Sequence, residues 1–275
     1  MRRSTTEPAV SRAAGAGRED NVITAAIFDL CSTLIETDRL KALSYARAAS
    51  ELQPEVSPEE IVAFYQQTAG LPRHELAVEL LARFGLEPPA RDQMTDWDAL
   101  EPWQAFARLR SQYYRALLES PDALRRHCAP HVHQLLETVR MLDRKLGLVT
   151  MTRCDEAVHM LRSIGLAGTF DAIVARDDVE RHPPDPEIFL LAARHLNVAP
   201  DTCLVAIGAS DGVRAARSAG MQVIAAVTPY NHKHFEDPAL LSGCRQAHGH
   251  DQLARLVTQA LTPTDEDGLG LRPPP

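Results

Sequence analysis

Hydrophobic positions along the chain follow two alternating patterns. Short, predominantly apolar runs closed by polar or small turn residues occur at 23–28, 145–150, 170–175, 202–207 and 222–227. Runs of this length without polar alternation predict strands buried on both faces, as in a parallel sheet. Between the later runs, apolar residues recur every three or four positions. This spacing predicts a helix running through Leu161 to Gly165, a second over 186–196, and a third over 212–219 that stops at Gly220. A further helix is predicted over 251–261. Strand and helix alternating in this way predict an α/β fold with a doubly wound parallel sheet and right-handed crossovers.

One long interruption breaks the alternation. Residues 37–137 carry helical patterning almost throughout, beginning with an amphipathic helix over 37–52. Ser57-Pro58-Glu59-Glu60 combines an N-cap serine, a proline at the first helical position and a glutamate at the third, which together predict a helix start. Leu76, Leu80, Leu81 and Phe84 share one helical face that ends at Gly85, and 103–118 and 132–142 predict further helices. An all-helical block between two strands of one sheet is an insertion. The expected division is therefore an α/β core over 21–36 and 138–262 with an inserted helical cap over 37–137. The segments 1–20 and 263–275 are polar, rich in Gly, Pro or Ala, and aperiodic, so both are expected to be disordered tails.

Composition narrows the partners. The 275 residues carry a formal net charge of -8 with no concentrated Lys/Arg block, which argues against nucleic acid or an anionic membrane as the partner. No apolar run approaches the ~20 residues of a membrane span, and the N-terminus has no apolar signal-peptide centre. The expected location is cytoplasmic. Cys31, Cys128, Cys154, Cys203 and Cys244 are scattered without a C-x-x-C pair, so reduced thiols are expected rather than a disulfide framework or structural zinc. The paired histidines His131/His133, His232/His234 and His248/His250 lie in polar contexts and are expected to be solvated surface. The cap aromatics Tyr65, Trp97, Trp103, Tyr113 and Tyr114 fall at core-like helical spacing, with one or two expected at a pocket. A homodimer is compatible with the pattern, though no heptad or single apolar stripe argues for one.

The candidate chemistry sits at the end of the first apolar run. Ligands of open α/β sheets collect at the carboxyl ends of the strands, and there the chain reads Ile27-Phe28-Asp29-Leu30-Cys31-Ser32-Thr33-Leu34. This stretch resembles the first motif of the haloacid dehalogenase-like (HAD) superfamily, Asp-x-Asp-Gly-Thr-Leu, in its helical-cap, phosphoglucomutase/phosphatase-like branch. The resemblance implies a nucleophile at Asp29 and a substrate contact at Thr33. It also places Cys31 at the position of the family's general acid/base Asp and Ser32 at that of its Gly. Leu148-Val149-Thr150 matches the second motif, whose Thr donates to the phosphoryl group. His182-Pro183-Pro184-Asp185-Pro186-Glu187-Ile188-Phe189 matches the third, with Pro183 where the family has its Lys. Aligning on Gly212 to Met221 puts Ile207 and Gly208 where the fourth motif has its Mg²⁺-binding acids and Ala209 at its Ser, leaving Asp211 as the one carboxylate of that loop. Arg153 and His182 fall on loops at the same face.

These degenerate motifs shape the functional expectation. Mg²⁺ is a hard ion that needs oxygen ligands, and Cys31 is a poor oxygen substitute. Phosphoryl transfer rests on charge stabilisation by metal and cation, and a thiol is a weak replacement for a carboxyl acid. The expectation is metal-independent chemistry on a small molecule held between core and cap. Asp29, Cys31 and Thr150 would be catalytic, Thr33, Arg153, His182 and Asp211 would bind substrate, and no cofactor would be held, with Mg²⁺ poorly supported. Two alternatives stay open. One is an inactive member of the fold that binds a metabolite or protein; the other is a weak phosphomonoester hydrolase using Asp29 and Asp211.

Overall fold

The computed structural model describes residues 22–68 and 70–262. The two segments expected to be disordered tails, 1–20 and 263–275, lie outside the described residues. Strand β1 (Ala25–Asp29) opens the fold. The helices α1 (Thr37–Leu52), α2 (Pro58–Gln67), α3 (Arg73–Phe84), α4 (Glu87–Asp92), α5 (Pro102–Glu119), α6 (Pro121–Arg126) and α7 (Val132–Met141) follow it. The chain then alternates through β2 (Lys145–Val149), α8 (Cys154–Ser163), β3 (Ala172–Val174), α9 (Glu187–Leu196), β4 (Cys203–Ile207) and α10 (Ser210–Ser218). It closes with β5 (Gln222–Val227), α11 (Pro238–Leu241), β6 (Arg245–His248) and α12 (His250–Leu261). Among the described residues no helix is long and apolar enough to cross a membrane.

The strands form one sheet in the order β3-β2-β1-β4-β5-β6, each pair parallel. β1 lies at the centre, and the strand order reverses between β1 and β4. That reversal is the switch point where open α/β sheets leave a crevice at their carboxyl ends. Side chains of β1 alternate between two cores. Ala26 and Phe28 pack with Leu136 of α7, Met160 of α8 and Leu253 of α12, while Ala25 and Ile27 pack with Phe189 of α9 and Val213 of α10. Helices on both faces are the reason the strands read as continuous apolar runs.

The inserted helices have a third core of their own, in which Tyr45, Ala49, Leu80 and Phe106 are buried together. α1 joins the two bodies. Leu40 in its first turn packs into the sheet's core, whereas Tyr45 and Ala49 one and two turns later pack into that of the insertion. α7, placed by the sequence in the insertion, contributes Val132, Leu135 and Leu136 to the sheet's core. The helix signals act as the residues suggest: Ser57 Oγ accepts from the Glu60 N–H at 3.3 Å, and Gly85 takes φ +65° at the end of α3. β6 had no sequence signal, because of Arg245, Gln246, Ala247 and His248 only Ala247 is buried on this edge strand.

Candidate functional site

Asp29 ends the central strand and is only 7% exposed. Burial pushes its carboxyl up to about 7 against the backbone N–H groups of Cys31 and Leu30 and the Lys41 ammonium, which pull it down; the nearby Asp38 carboxylate adds to the rise. It opens on a cavity of about 460 Å³ between the strand ends and α1. Cys31, Thr150, His182 and Asp211 line the same cavity. Five of the seven residues singled out in the sequence therefore meet in one place.

The other two are elsewhere. Thr33 is 1% exposed, its Oγ1 has no hydrogen-bond partner, and it does not line the cavity. Arg153 is the N-cap of α8, exposed to solvent and paired with Asp155 at 3.3 Å, also away from the cavity. Within the cavity, Thr150 Oγ1 accepts from the Thr152 N–H at 3.1 Å, and Cys31 Sγ lies 3.3 Å from Thr152 Oγ1. Burial and the charge of Asp29 push the Cys31 thiol up, so it sits there as a neutral group and not as a thiolate. Asp211, in the first turn of α10, is exposed and accepts from Arg214 Nη1 at 2.9 Å.

The loop after β4 is closed to larger side chains. Ser32 takes φ +61°, the left-handed region that favours glycine. A Cβ on Gly208 would lie 2.7 Å from the backbone oxygen of that serine. The two chain segments touch at the very position where the resemblance calls for an acid. Asn231 braces the floor, donating to the carbonyls of Gly208 and Ala226 at 2.9 Å each and accepting from the Thr228 N–H at 2.6 Å.

Sequence reasoning missed Asp38, Lys41, Asn231 and His234, all of which line the cavity. His234, expected at the solvated surface, is exposed and also lines the cavity. Lys41 is the one lysine or arginine among the described lining residues, and its Nζ donates to Asp38 Oδ1 at 2.8 Å. Burial works against its ammonium, but the Asp38 carboxylate, Tyr114, Tyr65 and the Asp38 hydrogen bond together outweigh it and the Lys41 pKa rises, so the cation is permanent. The available signal was position. Both residues sit at the N-terminal end of the helix that follows the Asp29 strand.

Residues 26–226 match the model of the haloacid dehalogenase-like hydrolase family. The chain is 32% identical over 217 residues to a phosphorylated carbohydrates phosphatase of Thermotoga maritima, covering 79% of this chain and 89% of that one. A candidate β-phosphoglucomutase of Thermotoga maritima has a similar structure, at TM-score 0.61 and 26% identity, over 86% of this chain and 99% of that one. A hydrolase of the same family from Deinococcus radiodurans, solved with bound phosphate and sodium, shares the fold at TM-score 0.63 and 21% identity, over 89% of this chain and 100% of that one.

These findings correct the expectation that no cofactor is held. The matched family's phosphatases hold Mg²⁺, and the relative is named as a phosphatase. The residues fit a minimal form of such a site. Among the described residues no group of three or more His, Cys, Asp or Glu could hold a metal alone. Mg²⁺, however, is commonly bound through one or two carboxylates, with water and substrate phosphate completing the shell. Asp29 and Asp211 provide two carboxylates in one cavity. The parallel sheet with Asp29 at the end of its central strand and the match across most of the chain make this protein a member of the haloacid dehalogenase-like hydrolases.

Proposed function

We propose that this protein hydrolyses the phosphomonoester of a small phosphorylated molecule, a sugar phosphate being the favoured class, with Asp29 as nucleophile. The observation that carries this reading is Lys41. It brings a fixed cation into the Asp29 cavity, where Pro183 stands in the third motif's Lys position. The relative's activity on phosphorylated carbohydrates supports the substrate class.

The chemistry follows from what phosphoryl transfer asks of a protein, namely positioning and charge stabilisation. An Asp29 oxygen attacks phosphorus, and the P–O bond to the alcohol breaks as the aspartyl phosphate forms. Lys41 stabilises the equatorial oxygens, and the Thr150 hydroxyl donates to one of them. Asp38 takes the acid/base role that the neutral Cys31 thiol cannot fill: its carboxylate relays to the departing alkoxide the proton that the Asp29 carboxyl gives up as it becomes the nucleophile, and later accepts a proton from the water that cleaves the aspartyl phosphate. Asp29 and Asp211 are the residues that would hold Mg²⁺, whose contribution when bound is to neutralise phosphoryl charge.

The test is phosphate release from a panel of sugar monophosphates in the presence of Mg²⁺. Turnover that disappears in Asp29→Asn and falls at least tenfold in Lys41→Met supports the reading. Absence of release from every phosphomonoester would retire it in favour of a binding protein on the same fold.

A further inference from the structure

Cys31 lines the Asp29 cavity, yet the chemistry above gives its thiol no part. Its contacts are specific. Cys31 lies in the tight loop after β1, where the Ser32 N–H donates to the Ile35 carbonyl at 2.7 Å. Its Sγ is 3.3 Å from the hydroxyl oxygen of Thr152, on the loop after the neighbouring strand β2. Thr152 in turn donates its backbone N–H to Thr150 Oγ1 at 3.1 Å, and its carbonyl accepts from the Arg176 N–H, beyond β3, at 3.3 Å. Three adjacent strand ends are thereby tied together at Thr152.

A threonine hydroxyl has one hydrogen to donate and two lone pairs with which to accept. The Thr152 N–H occupies one lone pair of Thr150 Oγ1, so the Thr150 hydrogen has to turn away from that amide. β-Branching already restricts χ1 of Thr150, and the accepted N–H removes much of the freedom that the O–H bond would otherwise keep. The placement of that N–H depends on residues 151–152, which lie in a bend outside any strand. Arg176 holds Thr152 at its carbonyl, and Cys31 holds it at its side chain. A thiol makes the second contact without setting another carboxylate beside Asp29.

We propose that Cys31 and Thr152 are positioning residues, forming a strut between the β1 and β2 loops that aims the Thr150 hydroxyl at the transferring phosphoryl group. The proposal rests on the phosphomonoesterase reading for the identity of that group. Neither residue touches the reacting atoms. Both act through Thr150, whose donor is set before charge develops and needs no reorientation when it does.

Calorimetric titration of the full chain in Mg²⁺ with two probes tests this: inorganic phosphate, and orthovanadate, which can take the five-coordinate geometry of the transferring group. Thr152→Val keeps the backbone N–H and the side-chain shape and removes only the hydroxyl. It should weaken vanadate by about fivefold or more and phosphate by less than about twofold, the scale of one misdirected hydrogen bond. Cys31→Ala should do the same, and Cys31→Ser, which keeps a hydrogen-bonding group, should lose less. The deciding readout is a double-mutant cycle. In a Thr150→Val background neither change should weaken vanadate further, because the hydroxyl through which both act is gone. Losses that multiply in full, or a vanadate affinity unaltered in both single variants, overturn the strut. Should one variant fail to fold, the cycle with the other decides. Phosphate release by the wild type with vanadate affinity unaltered in the variants sinks the strut and keeps the hydrolase. A Thr150-dependent loss of vanadate affinity without phosphate release from any phosphomonoester does the reverse.

Discussion

At the strand ends of the sheet, the positions that the family fills with charged groups hold Cys31, Pro183, Ile207 and Gly208. Across the same cavity, the N-terminal end of α1 holds Asp38 and Lys41 in an ion pair of 2.8 Å. The core side keeps the carboxylates of Asp29 and Asp211 but, among the described lining residues, has no lysine or arginine, and α1 supplies the cation. The core side is also physically closed to a charged side chain at Gly208, where any Cβ meets the Ser32 backbone. α1 faces no such limit, since its first turn is only partly buried and its side chains project over the cavity from a helix anchored by Leu40. A site can therefore keep its central carboxylate on the rigid strand while the cation beside it comes from a different element.

The nucleophile gives the largest effect. Asp29→Asn should reduce phosphate release by more than about 10³-fold, because no second carboxylate occupies the strand end. The same change should stabilise the metal-free protein. Asp29 has its carboxyl raised to about 7 from a reference near 3.8, so the folded state favours the protonated form. Its stabilising contribution is complete below the unfolded value and is lost as pH rises through about 7. Urea unfolding in EDTA should show wild-type stability falling between about pH 4 and 7. Asp29→Asn should flatten that slope and gain about 1–2 kcal/mol at pH 8. A wild-type stability that rises across this window would contradict the burial argument.

The cation comes next. Lys41→Met keeps the length of the side chain and removes its charge, and should cost about 10²-fold in kcat, as loss of a charge-stabilising group does elsewhere. If Lys41→Met turned over at the wild-type rate, α1 would not be the source of the missing charge. Asp38→Asn should cost about 10²-fold in turnover. Cys31→Asp in the wild-type background should raise the rate little and cost about 2 kcal/mol of stability, because it buries a second carboxyl beside Asp29. In the Asp38→Asn background the same Cys31→Asp change should recover part of the lost rate. That rescue is the sharp form of the comparison, since a purely structural Asp38 would leave nothing to restore.

How far the sequence reached follows the same division. Strands buried on both faces and helices with apolar stripes announce themselves locally, which is why β1 to β5 and the long helices were legible from periodicity and caps. β6, with one buried residue, was not. In the site, Asp29, Thr150, His182 and Asp211 were legible because they end strands or lie in the loops that follow. Thr33 was misplaced, since adjacency to the motif does not decide which way a side chain points, and here it points into the core. Asp38 and Lys41 were illegible for a different reason. An i,i+3 acid–base pair at a helix start looks like ordinary capping and surface pairing, and only the fold of α1 back over the strand ends turns it toward Asp29.

The smallest effect tests the hinge that makes this arrangement possible. Glu36 stands immediately before α1, and the His250 ring nitrogen at the start of α12 lies 3.2 Å from its Oε1, tying the base of the helix to the sheet. The hydrogen bond from His250 is the main influence holding the Glu36 carboxyl below its usual range. A lowered folded value stabilises above the unfolded value and is lost as pH falls through the folded one. Glu36→Gln should therefore cost no more than about 1 kcal/mol at pH 6, given the partial exposure of the pair, and should remove part of the acid destabilisation between about pH 5 and 3. Its effect on kcat should be smaller than that of Asp38→Asn, since Glu36 holds α1 and does not face the cavity. An equal loss from both variants would mean that the placement of α1, and not the charges it carries, limits the reaction.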